Sequence, residues 1–65
     1  MNSIYQTLLW GVKKDLITHV ALKETCEGVY VIFENAKIIF NSLDRDESQK
    51  IFIEILNGRI KRHTL

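Results

Sequence analysis

The stretch DRDESQKIFIEILNG, residues 44–58, decides the architecture, because its apolar residues suit either a helix or half of a hairpin. In the helical reading Ile51, Phe52, Ile55, Leu56 and, beyond the stretch, Ile60 follow the 3.6-residue period. Asp44 then caps the first turn, Glu47 follows three residues later, and Gly58 stands just past the end, where a left-handed residue stops a helix. In the strand reading Ile51, Ile53 and Ile55 alternate, and Asn57-Gly58 forms a type I′ turn into residues 59–65. The first half of the stretch separates the two. Residues 44–50 are too polar to begin a strand, and their acids fall where the positive end of a helix dipole favours them. A helix is therefore expected.

Upstream, Ile4, Tyr5, Leu8, Leu9 and Val12 recur at the spacing of one helix face, with Ser3 and Gln6 placed as a capping box. These residues predict a helix over 4–14. Gly11 inside it costs about 1 kcal/mol relative to Ala, which marks a close approach of another chain segment or an early stop. Residues 16–24 alternate as a half-buried strand does. Residues 25–28 read as a turn with Gly28 at positive φ, residues 29–33 as a central strand apolar on both faces, residues 34–36 as a second turn, and residues 37–40 as a third strand. The expected fold is two-layer α+β in the order α-β-β-β-α, a three-stranded antiparallel meander packed with two helices.

Composition bounds what such a domain does. The 65 residues are 46% apolar and 26% charged, with no proline, which is a globular composition for one small domain. A core this small is marginal alone, and apolar residues on both faces of the middle strand point to a homodimer. Nine Lys and Arg against eight Asp and Glu leave +1, so no strong overall field steers the chain to nucleic acid or to a membrane surface. Cys26 is the only cysteine, which excludes an intrachain disulfide and favours the reducing cytoplasm. The N-terminal apolar stretch has no basic residues ahead of it and is too short for a membrane span, so neither a signal peptide nor a membrane partner is expected.

Catalytic and metal-binding patterns are weak. Cys26 with His19 or His63 is the available thiol and imidazole combination, but no spacing unites them, and they lack the ligand spacings of a zinc site. Asp44, Asp46 and Glu47 open like a calcium loop, yet Gln49 and Ile55 stand where that loop needs Gly and Glu. The glycines are isolated, which excludes a phosphate-binding loop. The sequence therefore suggests no enzyme and no cofactor.

Two surface features remain. Trp10 sits at the margin of the apolar stripe as a rim residue or an interface anchor, and Tyr5 with the strand over residues 29–33 would extend its surface. Arg59, Lys61 and Arg62 form a basic run that with Lys13 and Lys14 would make a phosphate-gripping patch. The expected function is a small non-catalytic protein-binding module, an inhibitor, adaptor or regulatory subunit, with nucleic-acid binding through the basic patch as the alternative.

Overall fold

The computed structural model describes residues 5–58, which form four strands followed by one helix: β1 (Tyr5–Val12), β2 (His19–Thr25), β3 (Tyr30–Glu34), β4 (Lys37–Ser42) and α1 (Arg45–Leu56). The strands pair antiparallel in sequence order as a single sheet. The α+β class stands, but the order is β-β-β-β-α. The helix expected over residues 4–14 is an edge strand; Ser3, its proposed cap, lies outside the described residues, as does Ile60.

The physical reason is a bulge. Between Thr7 and Leu9 the register of β1 against β2 shifts by one residue, so the side-chain period of two breaks in mid-strand. Tyr5 then lies on one face of the sheet and Leu9 on the other, and the paired apolar residues imitate the i, i+4 pattern of a helix. A second bulge, between Ile32 and Phe33 in the pairing of β3 with β4, turns Ile39 into the core.

The turns follow local chemistry. Gly28 takes φ +83° and its amide bonds the Thr25 carbonyl at 3.0 Å, closing β2 onto β3. Asn35, at φ +56°, makes the β3–β4 turn, and its side chain accepts the His19 amide at 3.0 Å while its own amide donates to the His19 carbonyl at 2.7 Å. That exchange ties this turn to the start of β2.

For residues 44–58 the helical reading holds. The Asp44 carboxylate accepts the Glu47 amide at 3.1 Å, and the Ser42 hydroxyl links the cap by accepting the Asp44 amide and donating to the Glu47 carboxylate, each at 3.0 Å. Gly58, at φ +78°, ends the helix as its C′ position. One face of α1 crosses β2, β3 and β4, and Phe52 and Ile55 pack on Val20, Leu22, Ile32 and Ile39. Burial of each such side chain stabilises the fold by about 1.5–3 kcal/mol. Ser48 is wholly buried in this interface, and its hydroxyl donates to the Asp44 carbonyl at 2.8 Å, so no polar atom is stranded there.

Candidate binding face

Because α1 covers one face of the sheet, the alternation of the strands assigns every other residue to the opposite face. Leu22 and Ile32 are cross-strand partners beneath the helix. Their neighbours therefore point away from it: Ala21 opposite Phe33 and Trp10, Lys23 opposite Val31 and Thr7, Val12 opposite His19, and Phe33 opposite Ile38. No second layer covers these residues among those described.

The open face is aromatic. Tyr5 and Phe33 meet edge to face with ring centroids 5.4 Å apart. The Lys23 Nζ lies 4.9 Å from the Phe33 centroid and 6.0 Å from that of Tyr5, within reach of both ring quadrupoles. Val31, the cross-strand partner of Lys23 on this face, is 5% exposed. Trp10 leans on the His19 ring at 5.6 Å but remains 62% exposed, and Ile38 is 48% exposed at the far side of the sheet. A Trp that exposed belongs to a surface, not to the rim of the core.

Tyr5 and Trp10, the two partner-binding candidates within the described residues, thus share one face with Phe33 and Val31. Lys23, His19 and Ile38 are members of the face that sequence reasoning missed. Strand alternation placed Lys23 and His19 together in β2, but their company with Tyr5 and Trp10 depends on β1 being a strand.

The basic candidates fare differently. Lys13 Nζ bonds the Glu34 carboxylate at 3.3 Å, so its charge is paired, whereas Lys14 is exposed in the β1–β2 loop. Arg59, Lys61 and Arg62 lie outside the described residues. Cys26 is exposed in the β2–β3 turn, at the opposite end of β2 from His19 and roughly 20 Å along the strand, too far for a thiol and imidazole to share a proton. His63 lies outside the described residues. Among the described residues no group of three or more His, Cys, Asp or Glu side chains gathers as metal ligands do, and no helix is long and apolar enough to cross a membrane.

The β1–β2 loop is a second distinctive surface. The Asp15 carboxylate accepts the Thr18 hydroxyl at 2.5 Å and the amides of Ile17 and Thr18 at 2.9 and 2.8 Å. The Thr18 hydroxyl first, then the two amides, hold this exposed carboxyl down to about 2 from an ordinary 3.8. Within the loop Leu16 takes φ +64°, a left-handed conformation that costs a side-chain-bearing residue about 1–2 kcal/mol, and Leu16 and Ile17 stand 80% and 75% exposed.

No protein family, curated protein or solved structure matches this chain.

Proposed function

We propose that this chain is a small non-catalytic protein-binding module, an inhibitor, adaptor or regulatory subunit, that takes its partner on the open face of the sheet. The observation that carries this reading is the 62% exposure of Trp10 on a face it shares with Tyr5, Phe33 and Ile38. An exposed Trp among apolar neighbours is the residue type that anchors protein interfaces, and a half-covered aromatic sheet offers it a dry surround once a partner lands. A reducing, cytoplasmic setting fits the free and exposed Cys26.

Self-association belongs to the same proposal, as a twofold dimer made at a sheet edge. β1 and β4 are the edges of the sheet, and apart from the contact of Leu56 with Gly11 the helix packs mainly on β2, β3 and β4, so the backbone edge of β1 is the one offered to a second copy. Sedimentation over a concentration series down to the low micromolar range tests it, and a monomer throughout removes it.

One observation favours nucleic-acid binding as a second reading. The last turn of α1 packs against Gly11, next to the loop that bears Lys13 and Lys14, and Arg59, Lys61 and Arg62 follow that turn in the sequence. Changing Arg59, Lys61 and Arg62 together to Gln separates the readings. Loss of binding to an oligonucleotide, with protein capture intact, supports the second one.

A further inference from the structure

Lys23 specifies what occupies the open face, provided that face is the docking surface proposed for this module. The residue is half-buried, and its ammonium sits against two rings that offer their faces but no strong acceptor. Among the described residues the ion pair that forms is Lys13 with Glu34, and Lys23 has no carboxylate. The surrounding face supplies none either. Among the described residues the register sets Thr7 and Val31 across from Lys23, with Tyr5 and Phe33 beside them and no acid on that face, while Glu24 and Glu34 are cross-strand partners of Tyr30 and Val20 on the helix side. One cation thus stands, without its counterion, in the middle of an aromatic and aliphatic field.

We propose that the occupant is a segment of another protein in which a carboxylate is flanked by aromatic or aliphatic residues. The carboxylate pairs with Lys23 in a partly dehydrated setting, where a charged hydrogen bond is stronger than in water, and the flanking side chains cover Phe33, Tyr5 and Trp10. Charge complementarity excludes the two competing occupants. A second copy docking face to face would bring Lys23 and His19 against a surface without acids, leaving the cation buried and unpaired. A nucleic acid is a polyanion held by many cations, and this face presents one lysine. The chain as a whole is near neutral, with nine Lys and Arg against eight Asp and Glu.

Trp10 is the only tryptophan, so its fluorescence, excited beyond tyrosine absorption, reports occupancy of this face directly. The full chain is titrated with a random glutamate–tyrosine copolymer and, separately, with decathymidylate. The copolymer should change Trp10 emission saturably, more weakly as salt is added, and bind more tightly than decathymidylate. Lys23→Met should weaken the copolymer about tenfold or more, while Lys23→Arg, which keeps the charge and stacks on the same rings, restores it. No saturable change, equal affinity of the Lys23→Met variant, or tighter binding of decathymidylate overturns the assignment. Protein capture that still depends on Trp10 while Lys23→Met has no effect leaves the docking face standing and removes only the carboxylate.

Discussion

Leu56, in the last turn of α1, lies so close over Gly11 of β1 that a Cβ added to the glycine would stand 2.9 Å from both Leu56 methyl carbons. This contact joins the first strand to the end of the helix and places the glycine for a packing reason. Its backbone needs no left-handed conformation.

Two effects oppose each other when Gly11 becomes Ala. Loss of glycine's unfolded-state freedom favours the variant by about 0.5–1 kcal/mol, and overpacking against Leu56 costs about 1–3 kcal/mol. Gly11→Ala is therefore expected to be net destabilising, by about 1 kcal/mol. In a Leu56→Ala background the same change becomes neutral or stabilising. Urea denaturation of the four proteins in this double-mutant cycle measures the coupling, and additivity within about 0.5 kcal/mol contradicts the contact.

The core prediction concerns Phe52, which is 2% exposed between α1 and the sheet. Phe52→Ala removes about 3–5 kcal/mol, which in a domain this small is comparable with the whole stability. Circular dichroism should show a largely unfolded variant. Ile53→Ala, on the exposed side of the same helix, should remain folded with a change under about 1 kcal/mol.

How much of the fold was legible in the sequence depended on how local each signal is. The cap at Asp44, the stop at Gly58 and the turns at Gly28 and Asn35 were readable because each is set by side-chain-to-backbone bonds or φ preferences within a few residues. The nature of β1 was not. Its bulge at Thr7/Leu9 hides the period of two, and what makes these residues a strand is pairing with β2 and the cover of Leu56, neither of which the segment itself contains. The candidate binding face was half legible for the same reason: Trp10 and Tyr5 stood out by residue type, while Lys23 and His19 gain meaning from lying across the ladder from Thr7 and Val12.

Leu16 gives a prediction of the opposite sign. Its left-handed φ costs energy, and at 80% exposure its side chain contributes little burial. Leu16→Gly should leave the fold intact and raise stability by up to about 1 kcal/mol, measured as an upward shift of the thermal midpoint. A lowered midpoint contradicts the strain.

Asp15 sets an acid limb for the β1–β2 loop. Its carboxyl titrates near 2 when folded against 3.8 as a free side chain, so the unfolded chain takes up the proton first as pH falls. The stabilising contribution is whole above about pH 4 and is lost between there and about 2. Asp15→Asn should flatten the midpoint-versus-pH curve in that window and leave its shape at neutral pH unchanged. An unaltered acid limb contradicts the role of the three donors from Ile17 and Thr18.

The docking face is tested most directly by comparing what wild-type chain and Trp10→Ala chain retain from an extract of the source cells, quantified by mass spectrometry. With most of its ring already in water, Trp10→Ala should remain folded and lose about 1–2 kcal/mol of stability, which circular dichroism verifies first. The expected result is at least one protein held by the wild type and by the Arg59, Lys61 and Arg62 to Gln variant, but depleted about thirtyfold or more on Trp10→Ala, the loss of about 2 kcal/mol that marks an anchor residue. A folded Trp10→Ala chain that retains every protein the wild type retains contradicts the open face as the binding surface.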